Sequence, residues 1–412
     1  MLLEIREGEN MRTIEDYRDI VGDGVISNIY RKARKLYGKH ILEINSTYQG
    51  GGVAEMLSSF IHLMNDIGIE TDWNILHGTP DFFEITKLFH NALQGKPANL
   101  TENKRHIYLQ TNEEFYMYTH ISHDLVIVHD PQPLPLIKFY KKGQPWVWRC
   151  HIDISNPDKN LWEFLKPFIL RYDMAILSNE KYKKNDLPVE QKIIYPAIDP
   201  LSPKNIDLSD EVIEKTLRKF DVKTDKPLIT QISRYDLWKD PEGVLEVFKL
   251  VKEKVDCRLI LCGSMATDDP EGLKVYERIK RKANRLIRSG DIILLNAENN
   301  TLVNSLQRRS AVVVQKSIRE GFGLTISEAL WKETPVVASN VGGIPIQIID
   351  GENGFLVDPY DIKDCANKVI TLLQNPALAE DMGKKGKEMV RKNFLITRLV
   401  QDYLDMLSQM LL

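Results

Sequence analysis

Short, nearly continuous apolar runs recur along the chain, and between most of them the apolar positions fall three and four residues apart. In the first half the runs are "HILEINS" (40–46), "TDWNILH" (71–77), "DLVIVHD" (124–130), "PWVWRCHIDIS" (145–155), "MAILSNE" (174–180) and "KIIYPAI" (192–198). In the second half they are "PLITQIS" (227–233), "CRLILCGS" (257–264), "DIILLNA" (291–297), "AVVVQKS" (311–317) and "PVVASNV" (335–341). Unbroken apolar runs suit strands covered on both faces, and the helical spacing between them suits crossover helices. The alternation predicts an α/β protein with two doubly wound, Rossmann-like domains on parallel sheets. The polar stretch 199–226 interrupts the rhythm and is expected to be a linker. The expected division is therefore an N-terminal domain over 1–198, with a helical lead-in at 1–39, and a C-terminal domain over 227–394. The tail reads as helical, and its last segment, 395–412, is expected to pack back on the N-terminal domain.

Composition narrows the class. A chain of 412 residues exceeds one ordinary core, and 43% apolar with 27% charged residues is ordinary for a globular protein. No apolar run approaches the roughly 18 residues of a bilayer span. The acidic, polar opening stretch does not read as a signal peptide. A net charge of −3 leaves no electrostatic footprint for nucleic acid or an anionic membrane. The basic run "KVYERIKRKANRLIR" (274–288) reads as the solvated face of a helix. Cys150, Cys257, Cys262 and Cys365 have no finger-like spacing, and Cys257 and Cys262 fall on opposite faces of one strand. They read as reduced thiols of a cytoplasmic protein. The partners expected are small molecules, and a homodimer is compatible with the sequence.

Three glycine-rich loops follow strand ends, where open parallel sheets bind ligands. In "NSTYQGGGVAEML" (45–57), Gly50, Gly51 and Gly52 open a helix whose N-terminus favours an anion. The pattern is not G-x-G-x-x-G, so a nicotinamide reading is weak. In "ISRYDLWKDPEG" (232–243), Arg234 and Lys239 suit a diphosphate, although in isolation they read as two solvated cations. In "SIREGFGLTISEAL" (317–330), Gly321 and Gly323 precede a helix expected near Thr325, with Glu320 and Glu328 on either side. Thr325 and Glu328 also form a capping-box pattern. Glu320 has no such structural explanation. Carboxylates beside an anion site suit sugar hydroxyls, which donate hydrogen bonds. A nucleotide sugar combines the diphosphate and the hydroxyls these residues would need.

Those residues carry a resemblance. Glu320, seven residues and Glu328 resemble the E-x7-E signature of retaining glycosyltransferases with two facing Rossmann-like domains, the GT-B fold. "SRYDLWKD" and "VGGIPIQIIDGENGFLV" resemble the same superfamily. "NSTYQGGGVAEML", "FFEITKLFHNALQG" (82–95), "VIVHDPQPLPL" (126–136) and "WRCHIDIS" (148–155) resemble the trehalose synthase and trehalose phosphorylase group. The resemblance implies reversible, retaining glucosyl transfer from a nucleoside-diphosphate glucose (UDP-, ADP- or GDP-glucose) to glucose, giving trehalose, with trehalose phosphorolysis, or retaining transfer to a different acceptor, as the alternatives. It implies that Arg234 and Lys239 hold the diphosphate, Glu320 the donor glucose and Glu328 the ribose. Backbone groups of Gly321, Phe322, Gly323, Leu324 and Thr325 would support the donor, and Gly50–Gly52 would lie against phosphate and acceptor. His151 would meet the transferred sugar, and Asp130 and Asp153 would lie on the acceptor side. No metal is obligatory in this scheme, and Mg2+ bound to the diphosphate is compatible with it. One departure stands out: "GGIP" is followed by Ile346 and Gln347, where the superfamily often has an acid.

Overall fold

The computed structural model describes residues 12–48, 51–263 and 270–412. The chain divides into two compact units, 1–197 with 396–412, and 198–395.

In the first unit, strands β1 (His40–Asn45), β2 (Glu70–Ile75), β3 (Leu125–His129), β4 (Trp146–Cys150), β5 (Met174–Leu177) and β6 (Glu190–Ile193) form one parallel sheet in the order β2-β1-β3-β4-β5-β6. Its central strands are buried along nearly their whole length, as continuous apolar runs require. One face packs Leu42, Val126, Val128, Trp146 and Trp148 against helices Pro80–Leu93 and Lys159–Ile169. The C-terminal helix Ile396–Leu411 belongs to this unit, where Tyr403 packs on Phe60 with ring centroids 4.5 Å apart.

In the second unit, β7 (Leu228–Ile232), β8 (Arg258–Gly263), β9 (Ile292–Asn296), β10 (Ser310–Gln315), β11 (Val336–Ser339) and β12 (Phe355–Val357) form a second parallel sheet in the order β12-β11-β10-β7-β8-β9. Cys257 and Cys262 are buried in the cores on its two opposite faces. The stretch 199–226, expected as a linker, is part of this unit instead. It carries helix Asp210–Lys219, capped by Ser209, and Ile213 and Leu217 of that helix enter the same core as Leu302 and Leu306. The basic run lies on helices whose Val275, Ile279 and Ala283 are buried, while Arg278 and Lys282 reach Glu242 on the outside.

The apolar run 145–155 forms a strand only as far as Cys150. The next amide, His151 N–H, donates to the Asp130 carboxylate at 2.8 Å rather than extending the ladder. Strand β12 is an element the apolar pattern did not predict. Among the described residues, no helix is long and apolar enough to cross a membrane.

Both sheets have a switch point, where successive connections leave in opposite directions: between β1 and β3 in the first, and between β7 and β10 in the second. Ligands of open α/β sheets bind beyond the carboxyl ends of the strands at such points. Residues 46–48 and Gly51, Asp130, the loop 233–240 and the loop 316–323 all follow these four strands.

Candidate functional site

In the second unit the loops after β7 and β10 are bound to each other. Buried Tyr235 anchors the first, with its hydroxyl 3.0 Å from the carbonyls of Leu261 and Leu295. Asp236 accepts from Trp238 N–H at 2.7 Å, and Gln231 donates to the Lys239 carbonyl at 2.7 Å. Asp240, in the left-handed region at φ 45°, caps helix Pro241–Lys252 by accepting from Gly243 N–H at 3.0 Å. Lys316, buried after β10, reaches the Asp240 carboxylate and donates to the Pro359 carbonyl at 2.6 Å. Ile318 N–H donates to the Trp238 carbonyl at 2.7 Å. These bonds bring Lys239 Nζ to 2.5 Å from Glu320 Oε2. The same oxygen accepts from Ser317 Oγ at 3.0 Å and Gln315 Nε2 at 3.4 Å, and Glu320 is only 7% exposed. The sequence reading gave Lys239 and Glu320 to different parts of a ligand; the structure makes them direct partners. Arg234, on the same loop, is exposed and makes no side-chain hydrogen bond among the described residues.

The capping-box expectation fails here. Gly323, at φ 88° and ψ 61°, is the N-cap of helix Leu324–Trp331, a left-handed conformation that glycine adopts without Cβ strain. Thr325 is thus the second helical residue, too late to cap, and Glu328 lies in the second turn. Glu328 is buried, accepts from Gln307 Nε2 at 3.3 Å and has Lys204 Nζ at 3.7 Å. Behind it, Lys332 donates to the Glu328 carbonyl at 3.0 Å and to Asn205 Oδ1 at 2.8 Å. Burial pulls the Lys332 ammonium down to about 7, against the opposing pull of the Glu328 charge. The Phe322 side chain is buried and meets Phe394 at 5.5 Å between centroids, so Phe322 offers a ligand only its backbone.

Gln347, which sequence reasoning left without a role, supports the glycine turn. It donates to the Phe322 carbonyl at 2.6 Å and accepts from Ser327 Oγ at 2.5 Å, while its own carbonyl receives Asn353 at 3.0 Å. An acid at this position could not donate to Phe322.

In the first unit, Gly51 at φ 110° precedes helix Gly52–Asp66, while Gly50 lies outside the described residues. Asn45 shapes the loop by donating to the Thr47 carbonyl at 2.6 Å and accepting from Trp73 Nε1 at 2.9 Å. Asp130 adopts the left-handed region at φ 59°. Its carbonyl receives Trp148 Nε1 at 3.1 Å, and helix Glu102–Tyr118 pins the chain just after it through Tyr108 Oη on the Pro131 carbonyl at 2.5 Å. Burial raises the Asp130 carboxyl to about 6, opposed by the bond from His151 N–H. Asp153 is buried and accepts from Ser155 N–H at 2.9 Å, a turn-forming contact.

His151 is joined to two residues that sequence reasoning missed. Its Nε2 lies 2.9 Å from His129 Nδ1, with the two rings within 8° of parallel, and His129 Nε2 lies 2.6 Å from Glu43 Oε2. Glu43 is fully buried in the middle of β1. Burial, then the charge of Arg149, holds the His151 imidazole well below its usual range, so it is neutral near pH 7. A charged residue inside an otherwise apolar run, and a histidine closing "VIVH", were the available signals. At the opposite, amino end of the sheet, Asp72 Oδ2 accepts from His40 at 3.0 Å and His123 at 3.1 Å, apart from these loops.

With this geometry in place, the comparisons with known proteins are informative. Residues 43–184 match the model of the trehalose synthase N-terminal domain, and 212–389 that of group 1 glycosyl transferases. The chain is 46% identical to a trehalose synthase of Thermococcus litoralis over 97% of its own length and 98% of that protein. It is 29% identical to a trehalose phosphorylase of Grifola frondosa over 92% of its length, which spans 58% of that protein. Among solved structures, an Anabaena protein in complex with UDP and glucose superposes with a TM-score of 0.68 at 16% identity, covering 90% of this chain and 100% of that one. At that identity the likeness shows the fold alone, GT-B.

Proposed function

Because this chain belongs to the trehalose synthase family of glycosyltransferases, we propose that it transfers glucose reversibly, with retention at the anomeric carbon, between a nucleoside-diphosphate glucose and free glucose, forming trehalose. The observation that carries this reading is the 2.5 Å contact of Lys239 with Glu320 at the switch point of the second sheet, beside a glycine-capped helix start. It sets a cation and an acceptor-only carboxylate side by side, which is what a sugar bound to a diphosphate needs.

In this reading the second unit handles the donor. Lys239 and Arg234 meet the diphosphate, with help from the backbone N–H groups of Gly321–Thr325 and the helix start. Glu320 accepts from hydroxyls of the donor glucose, and Glu328 from the ribose. As the anomeric C–O bond breaks, its electron pair leaves with the diphosphate oxygen. The two cations and the aligned N–H groups stabilise the charge that collects there. The acceptor hydroxyl attacks the same face and passes its proton to the departing oxygen. In the first unit, the glycine loop 50–52 supports phosphate and acceptor, His151 meets the transferred glucose, and Asp130 and Asp153 orient the acceptor. The UDP and glucose named for the Anabaena structure support the donor class.

The test is the reverse reaction. Trehalose incubated with ADP, UDP or GDP should yield nucleotide-sugar and glucose. If trehalose with inorganic phosphate instead yields glucose 1-phosphate, while no diphosphate nucleotide supports turnover, the protein is a phosphorylase and the donor assignment is wrong.

A further inference from the structure

We propose that Glu43 is a positioning residue that acts through His129 to keep the ring proton of His151 on Nε2, leaving Nδ1 as a bare lone pair for a sugar hydroxyl. The proposal rests on the reading that His151 meets the transferred sugar.

The starting point is an expense in the fold. Burying a carboxylate inside an apolar strand is costly unless hydrogen bonds compensate. Glu43 is 0% exposed, and its Oε1 has no hydrogen-bond partner among the described residues. Its one close bond among the described residues is between Oε2, as acceptor, and His129 Nε2, at 2.6 Å. An ionised carboxylate offers lone pairs only, so His129 Nε2 carries the hydrogen. In neutral His129 the other nitrogen, Nδ1, is then an acceptor. His151 Nε2 lies 2.9 Å from that acceptor and must donate to it. A neutral imidazole has one ring hydrogen, so His151 Nδ1 is left without one. That nitrogen makes no hydrogen bond among the described residues and is not a buried unpartnered atom, so it is open to a ligand. The His151 backbone is fixed as well, by its N–H bond to Asp130.

Each hydrogen in the row is thus dictated by its neighbour, ending at the one group that cannot donate. An acceptor at Nδ1 suits a sugar hydroxyl and disfavours a phosphate oxygen. The charged and titratable groups around the row are Asp130 after β3, Arg149 on β4 and Tyr403 on the C-terminal helix, with Arg149 donating to Tyr403. Protonation of His129 would make its Nδ1 a donor, move the His151 hydrogen to Nδ1 and remove the acceptor.

The test combines a spectrum with kinetics on the full-length protein. With 15N-labelled histidine at pH 8, long-range proton–nitrogen correlations should show His151 protonated on Nε2. In Glu43→Gln the carboxamide can donate as well as accept, so the constraint is lifted. His151 should then show mixed or inverted tautomers, with kcat down roughly 10- to 100-fold and KM for the nucleotide-sugar within about twofold. Glu43→Asp, which retains the charge, should recover part of both the spectrum and the rate. A wild-type His151 carrying its proton on Nδ1 would overturn the proposal, and this spectrum decides alone should Glu43→Gln fail to fold. So would a Glu43→Gln protein with unchanged spectrum and kcat. Failure of the wild type to transfer glucose from any donor would instead remove the functional reading while leaving the tautomer result standing.

Discussion

Replacing Glu320 by glutamine removes one charge and almost no volume from the Lys239 contact. Glu320 Oε2 accepts from three donors, and the side chains of Lys239 and Glu320 are 20% and 8% exposed. A charge-assisted hydrogen bond contributes about 1.5–3 kcal/mol, and the partial exposure of Lys239 reduces this to about 1–2 kcal/mol. In a chain of this size the melting temperature should drop by roughly 1–2.5 °C. Turnover should fall much further, because the sugar contact tightens as charge develops. A loss of roughly a hundredfold corresponds to about 2.7 kcal/mol. The measurements are initial rates over a donor concentration series and a thermal melt. Lys239→Met and the double variant complete a cycle: residues in contact should be non-additive, with the double variant losing less than the sum by at least about 0.5 kcal/mol. A Glu320→Gln protein with a lowered melting temperature but wild-type turnover would make the pair a purely structural ion pair and remove Glu320 from the chemistry.

Other residues should separate stability from activity in different ways. Arg234→Ala, at an exposed position whose side chain makes no hydrogen bond among the described residues, should leave the melting temperature within about 1 °C, as surface changes do. Its turnover should fall roughly a hundredfold, and unchanged turnover would clear Arg234 of any role. Gln347→Ala removes the donor to the Phe322 carbonyl and the acceptor for Ser327. It should cost about 1–3 kcal/mol of stability and raise KM for the donor, and an unchanged KM would show that the glycine turn holds without it. Lys332, lowered to about 7 in the fold, binds fewer protons there than when unfolded between about pH 7 and pH 10. Wild-type stability should therefore rise with pH across that window. Lys332→Met, which has no such proton to lose, should compare best with wild type at pH 7 and lose ground steadily towards pH 10. A pH-independent difference in melting temperature would refute a shifted lysine.

The strands were legible because a sheet covered on both faces demands apolar residues at every position, and eleven such runs stand out from the helical spacing around them. Phe355–Val357 escaped because three residues after an Asn-Gly turn carry too little pattern to separate from a loop. The linker expectation over 199–226 failed because a helix that buries only Ile213 and Leu217 reads as polar in sequence, although those two side chains commit it to the second core. The candidate binding loops could be read from glycines at strand ends. Which side chains meet could not, because Lys239 and Glu320, or Glu43, His129 and His151, are joined by strand neighbours rather than by sequence spacing. The capping box was a local signal overridden by a stronger one, since Gly323 can take the left-handed conformation that starts the helix two residues earlier.

The central claim is that glucose passes with retention from a nucleoside diphosphate to a second glucose. It is tested most directly by following each α-nucleoside-diphosphate glucose, 13C-labelled at C1, with unlabelled glucose and the enzyme by NMR. The account predicts a labelled α,α-linked disaccharide that is cleaved by trehalase, formed with one equivalent of nucleoside diphosphate. Appearance of a β-linked product, or of labelled free glucose with no disaccharide from any of the donors, would contradict it.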